Sequence, residues 1–568
     1  MKETVYCALF SKDMRLIAAW LLVISAQSSI WAQQQDSVQV PKDWFLRDPE
    51  TDHVQGVSTE KVYTSLLSGK PSTTVLVAVI DSGIDTKHED LKDVIWTNED
   101  EIAGNGLDDD RNGYIDDIHG WNFIGGKNGN VKDDSNEVTR EFKRLKGKYA
   151  TLDEKQVPKK DKAEYAYWKK VKSKYERDSK FNNEQYGQFK EQYDAYKNIY
   201  GTVSFCDSLL RNHLKISNIS KSSLDNFVTQ NDTLSYAKGT LQRVYENLEE
   251  GMDMNSFILE LQGYIEYLRE GVEHFEVGER YGYNLEYDSR KVVGDDYNNL
   301  QEKFYGNNDV TGPDAFHGTH VAGIIGANRT NEVGIRGIAD NVKIMSVRVV
   351  PPSGDERDKD VANAILYAVN NGAKIINMSF GKAFSPNKDI VDKAVRYAES
   401  RGVLLIHAAG NDGDDNDTDE NFPNKFFKDG WEAKNWIEIG ASAWGADDDF
   451  VASFSNYGKK SVDFFAPGVK IYSTAPGNEY KDADGTSMAS PATAGVAAIL
   501  LSYFPHLTAA QTRDILREST RKFDNLTVKK PGSEDKVNFS QLSSTGGLVN
   551  AYLAVQLALK MTATKTEK

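Results

Sequence analysis

Val75 to Ile80 is an unbroken apolar run, mostly valine and isoleucine, that stops at Asp81. A short run of this kind reads as a strand buried on both faces, which is the habit of parallel sheets. Segments of similar texture recur at 342–350, 374–378, 403–408, 436–441 and 462–465. Between them lie helical patterns at 318–326, 358–371, 388–400, 487–503 and 508–518. Strands alternating with helices predict an α/β fold, a parallel sheet sandwiched by helices. Sites in such folds gather at the carboxyl ends of strands. Asp81 and Asn411 both fall just past such ends.

Residues 127–305 interrupt this alternation. The stretch is charged, and 16 of the chain's 27 tyrosines lie between 141 and 300. Met254, Ile258, Leu261, Ile265, Leu268, Val272 and Phe275 follow a three-four spacing, and so do Tyr186, Phe189, Tyr193, Tyr196 and Tyr200. Such seams predict helices packed on one another, hence a helical hairpin or small bundle inserted into the α/β domain. The organisation expected is a signal peptide at 1–32, an N-terminal arm at 33–70, an α/β domain built from 71–126 and 306–556, the helical insertion at 127–305, and a tail at 557–568. Trp44, Phe45 and Leu46 read as the part of the arm that packs on the core.

Arg15 precedes the apolar run Leu16–Ile24, small residues follow, and Ala32 or Ala26 offers a cleavage position. The run is too short for a membrane span, and no later stretch approaches the required ~18 apolar residues, so no stable span is expected once the signal is removed. Met14 before Arg15 makes a cleaner signal start than Met1. A secreted or periplasmic location follows. The formal charge of −17 disfavours nucleic acid as a partner, since phosphate binding needs clustered Lys and Arg. Cys7 lies in the removable segment, which leaves Cys206 alone and without an intrachain disulfide.

Three segments carry chemistry. Asp81 ends an apolar strand in Val77-Ala78-Val79-Ile80-Asp81-Ser82-Gly83, where a carboxylate can be sheltered yet reach a site. His317 opens His317-Gly318-Thr319-His320-Val321-Ala322-Gly323, whose small residues permit close helix packing. Ser487 sits in Gly485-Thr486-Ser487-Met488-Ala489-Ser490-Pro491 at the start of an apolar helix. A helix N-terminus offers free N–H groups and a positive dipole end, which suits an oxyanion forming beside a nucleophile.

In the order Asp, His, Ser, these segments resemble the subtilase family of serine peptidases, and Asn411 in Ala408-Ala409-Gly410-Asn411 resembles the family's oxyanion-hole asparagine. The resemblance covers 71–126 and 306–556. It implies a serine endopeptidase that acts on protein or peptide substrates through an acyl-enzyme. Asp81 would orient His317, His317 would act as general base and acid, and Ser487 would attack the carbonyl. Ser379-Phe380-Gly381 is similar to the segment that pairs with extended substrate and walls the pocket for the residue before the cut, and Phe380 suggests an apolar wall. The acidic run from Asp412 to Glu420 reads as a solvated loop, with a preference for basic substrate residues as the alternative. His320 reads as a packing histidine, and no zinc-peptidase His-Glu-x-x-His occurs.

Asp108-Asp109-Asp110-Arg111-Asn112-Gly113-Tyr114-Ile115-Asp116-Asp117 places oxygen side chains at the spacing of a calcium loop, with glycine at the sharp turn. Asp108, Asp110, Asn112, the Tyr114 carbonyl and Asp116 are the expected ligands of a structural calcium. His119 stands where an EF-hand has glutamate, so a sensor hand is not expected. Asp81 and His317 lie 317 − 81 = 236 positions apart and must touch, so the insertion leaves and re-enters near one rim of the cleft. Gating of substrate entry and docking of a partner are its expected roles, with a stabilising decoration as the alternative. Only about 40 residues separate Ala32 from the first strand, too few for a stable folding prodomain. The competing reading is a non-catalytic, calcium-stabilised binding protein, which a broken triad would have marked.

Overall fold

A computed structural model describes residues 40–249 and 251–566. The expected signal peptide lies outside them. Among the described residues the chain forms two compact units, Glu176–Arg280 and a larger one comprising 40–175 and 281–566.

The larger unit is built on a nine-stranded sheet. Its strands are β1 (Val75–Asp81), β2 (Gly120–Asn122), β3 (Val342–Arg348), β4 (Ile375–Met378), β5 (Leu404–Ala408), β6 (Trp436–Ser442), β7 (Phe464–Pro467), β8 (Arg521–Lys522) and β9 (Gly547–Leu548). They lie in the order β8-β9-β7-β6-β5-β4-β1-β3-β2. Every pair is parallel except β8 with β9 at the edge. β1 is an inner strand, with Asp81 opposite Arg348 on one side and Ile80 opposite Met378 on the other.

The unbroken apolar run follows from this position. Val77 and Val79 enter one core, while Ala78 and Ile80 enter the core on the opposite face. Helices Phe316–Gly326 and Thr486–Tyr503 pack on the first face, and Asp358–Asn370 and Lys388–Ser400 on the second. Most expected strands and helices of this domain begin and end within two residues of those observed.

The arm is part of the core. Trp44 is fully buried, its indole N–H donates to the Lys470 carbonyl at 3.1 Å, and its ring meets Trp444 edge-on. The stretch from 557, expected as a tail, instead continues a helix running Ala551–Thr566, because Ala554, Val555 and Ala558 recur at helical spacing and are fully buried.

The smaller unit is helical. Tyr196, Val203, Cys206 and Leu210 of helix Lys162–Leu214 meet Leu241 and Val244 of helix Asp232–Tyr245. Met254, Leu261 and Leu268 of helix Met254–Val277 complete that core, with Ile258 and Ile265 half-buried beside them. The Cys206 thiol is buried, and that burial raises its pKa.

Trp44→Ala leaves a cavity under the sheet and should lower stability by about 3–5 kcal/mol, read as a reduced urea midpoint at unchanged slope.

Candidate active site

Asp81 stands at the carboxyl end of β1 and is almost fully buried. Its Oδ1 accepts the Ser82 N–H at 2.7 Å and faces His317 Nδ1, also at 2.7 Å. Close packing of the two elements makes this contact possible. A Cβ on Gly318 would fall 2.2 Å from the Gly83 carbonyl oxygen and 3.2 Å from Asp81 Oδ1, so only glycine lets the histidine helix approach. Burial disfavours the His317 imidazolium, and the Asp81 carboxylate more than offsets it, so the imidazole pKa lies above its ordinary value.

Ser487 occupies the first turn of helix Thr486–Tyr503. Its hydroxyl donates to the Ser379 carbonyl at 3.2 Å, and the Ser379 hydroxyl donates to the Ser487 carbonyl at 2.9 Å. Asn411 lies just beyond β5. Its Oδ1 accepts both the Thr486 N–H at 2.9 Å and the Thr486 hydroxyl at 3.0 Å. That leaves the Asn411 Nδ2 donors turned to the site. A Cβ on Gly485 would stand 3.5 Å from Ser487 N and 3.6 Å from Asn411 Nδ2, so both donors border the same small gap. A side chain at residue 485 would fill that gap, and its φ of +150° also suits glycine.

Two neutral N–H donors at one gap, a hydroxyl beside it and an imidazole tied to a buried carboxylate form an arrangement able to stabilise a tetrahedral oxyanion. The subtilase family model matches residues 72–541. The chain belongs to the subtilase family. It is 43% identical over 187 residues to a thermophilic serine proteinase of Bacillus sp. (strain AK1), which covers 33% of this chain and 42% of that protein. It is 36% identical over 240 residues to thermitase of Thermoactinomyces vulgaris, covering 42% of this chain and 75% of the relative. It is 39% identical over 210 residues to subtilisin E of Bacillus subtilis (strain 168), covering 36% and 51%. The match thus spans about half the length of two of these three relatives. A solved cold-adapted subtilisin-like serine proteinase is 30% identical over 43% of this chain and 78% of that one, with a TM-score of 0.35.

In this subtilase the expected substrate segment has an unexpected face. Phe380 is 8% exposed, and its ring stands edge-on to the buried His407 imidazole at 6.2 Å. The apolar wall expected from Phe380 is therefore turned largely inward, because alternate side chains of an extended segment point to opposite sides. What meets Gly381 is polar: a Cβ there would lie 2.5 Å from Asn421 Oδ1 and 2.6 Å from its Nδ2. His320 is buried on the His317 helix. Its Nε2 faces the Lys481 carbonyl at 3.0 Å, and burial pushes its pKa down to about 4, so it stays neutral.

The acidic loop sorts its residues differently from the spacing. Asp116 accepts the N–H groups of Gly104, Asn105 and Gly106. Asp108 accepts those of Asn112 and Gly113. Asn112 donates to Asp110 and Asp117, and its Oδ1 accepts the Tyr114 N–H. The group whose ligand oxygens lie within 4.8 Å of one another is Glu101, Asp110 and Asp117. It shares only Asp110 with the expected set. Burial, with Asp110 adding to it, pushes the Asp117 carboxyl up to about 6 even though Tyr367, Asn98 and Asn112 donate to it. Asp117 closes the motif next to the expected Asp116, and Glu101 lies seven positions before its first aspartate.

The titration of His317 tests the geometry. Followed by NMR, its midpoint should lie above the ordinary ~6.5 and fall in Asp81→Asn, because the raised value depends on the carboxylate. The imidazolium–carboxylate pair then contributes stability below pH ~6.5 that is lost as the pH rises through the folded value.

Proposed function

We propose that the chain is an exported serine endopeptidase, secreted or periplasmic, that hydrolyses peptide bonds with Asp81, His317, Ser487 and Asn411. The observation that carries this reading is the convergence of Asn411 Nδ2 and Ser487 N on one gap beside a serine hydroxyl. His317, in the tautomer whose Nδ1–H points at Asp81, leaves Nε2 free to take the Ser487 proton. The hydroxyl first leaves the Ser379 carbonyl, which costs one neutral hydrogen bond of about 1 kcal/mol. Ser487 Oγ then bonds to the scissile carbonyl carbon while its proton passes to His317. The carbonyl oxygen takes the charge between Asn411 Nδ2 and Ser487 N. His317 returns the proton to the leaving amine, and water repeats the sequence on the acyl-enzyme. Ser379 and Gly381 wall the substrate, with Asn421 beneath.

Calcium fits the acidic loop. Three carboxylates gathered within 4.8 Å form the hard oxygen donor set that this ion takes, and Glu101, Asp110 and Asp117 would hold it. Bound there, it supplies charge neutralisation that steadies the loop between β1 and β2. No described helix is long and apolar enough to cross a membrane. The peptidase domain at 71–126 and 306–556 would act as one body, with the insertion at 127–305 gating entry or docking a partner.

A fluorophosphonate should add once to the wild-type chain and not to Ser487→Ala, by intact mass; an unlabelled wild type would refute the activated serine. Asn411→Ala should lower kcat by about 10²–10³, the size of effect found when subtilisin loses its oxyanion-hole amide. Chelation by EDTA should lower the melting temperature, and Asp117→Asn should abolish that response; a curve indifferent to EDTA argues against the ion.

A further inference from the structure

We propose that Asn456 is a positioning residue for the oxyanion hole, acting through Asn411; this rests on the peptidase reading above. Asn456 lies in a loop between β6 and β7, 2% exposed and 45 positions beyond Asn411. Nothing in its local sequence marks it. Its side chain nevertheless uses all four of its hydrogen-bonding positions on the segment that carries Asn411. Oδ1 accepts the N–H groups of Asp412 at 2.9 Å and Asp414 at 3.0 Å. Nδ2 donates to the Ala409 carbonyl at 3.0 Å and to Asn416 Oδ1 at 3.1 Å. Its own backbone N–H donates to the Gly410 carbonyl at 2.9 Å. Residues 409, 410, 412, 414 and 416 are thus held by one residue, and Asn411 stands in the middle of that span.

The two halves of the amide are not interchangeable. Both Asp412 and Asp414 present N–H groups, so Oδ1 must face them and Nδ2 must face Ala409. Gly410 records how close the grip is: a Cβ there would fall 2.5 Å from Asn456 Nδ2, and its φ is +106°. Asn411 itself is fixed from the other side, by Thr486 through Oδ1. Thr486 sets which way the amide faces, and Asn456 sets where the backbone holds it. A displacement of about 1 Å at such a donor costs up to 10²-fold in rate.

The test is a double-mutant cycle in kcat and KM on a peptide substrate, using the full chain. Asn456→Ala should lower kcat about 10–100-fold with KM changed less than about twofold, since the donor acts on the transition state. In an Asn411→Ala background the same substitution should cost less than about twofold, because the group it positions is gone. Asn456→Ser, which keeps one donor and one acceptor, should fold even if the alanine variant does not, and should show a smaller loss with the same non-additivity. Additive losses, or an unchanged kcat in a folded variant, would overturn the proposal. An Asn411→Ala variant with full turnover would instead overturn the oxyanion role of Asn411 on which it rests.

Discussion

The 2.7 Å contact between Asp81 and His317 joins residues 236 positions apart, and the architecture follows from keeping it. Asp81 is fixed because β1 is gripped by β3 along its whole length and by β4 over Val77–Ile80. A carboxylate at the end of such a strand has almost no freedom to follow a moving partner. The histidine must therefore be brought to it. Gly318 allows the approach, and Thr319 anchors it, its hydroxyl accepting the Asp85 N–H and its carbonyl accepting the Thr474 hydroxyl.

The chain between the two residues has to return accurately, and buried ion pairs in the larger unit direct that return. Arg357 pairs with Asp134, Lys382 with Glu137, and Arg290 with Asp360 at 2.6 Å, all nearly inaccessible to water. Lys359 binds Asp295 and Glu302. Each pair joins a residue of 134–140 or 290–302 to the segment 355–360 or to Lys382. Burial opposes ionisation of Glu137, yet Arg140 and Lys382 draw its carboxyl down to about 2. Buried pairs of this kind add little net stability, but removing one partner costs about 3–5 kcal/mol. Their effect here is therefore selective: one path of the chain satisfies every charge. Lys382 directly follows Gly381, so the same network also fixes the segment beside Ser487.

What was legible in the sequence was what local pattern dictates. Val75–Ile80 announces an inner strand because both faces of β1 are buried, and the three peptidase motifs are contiguous runs whose residues keep their chemistry in any context. What local pattern does not carry shares one cause, dependence on distant partners. The resemblance that suggests an apolar wall at Phe380 carries no sign of its ring's contact with His407, a partner supplied by another strand. Spacing places Asp110 and Asp117 in one motif, while Glu101 joins them only through the loop's closure. The stretch from 557 carries Leu557, Leu559 and Met561 against the core and buries Ala558 wholly, so it continues the preceding helix in place of the expected tail. The ion pairs across more than two hundred positions, such as Asp134 with Arg357, carry no local signal at all.

The site divides into a rigid part and one rotor. Three side-chain amides, from Asn416, Asn421 and Asn456, converge on the Ala409 carbonyl at 2.8–3.0 Å. A carbonyl oxygen with two lone pairs is saturated by such donors, so the turn beside it has no alternative arrangement of comparable energy. Donors held this way need no reorganisation when charge develops, which is the condition under which an oxyanion hole is worth most. The Ser487 hydroxyl differs. It rests on Ser379 by one 3.2 Å hydrogen bond and moves by a single torsion. On the proposed mechanism, motion is thus needed only where a proton is transferred, while every group that would meet the forming charge is already in place.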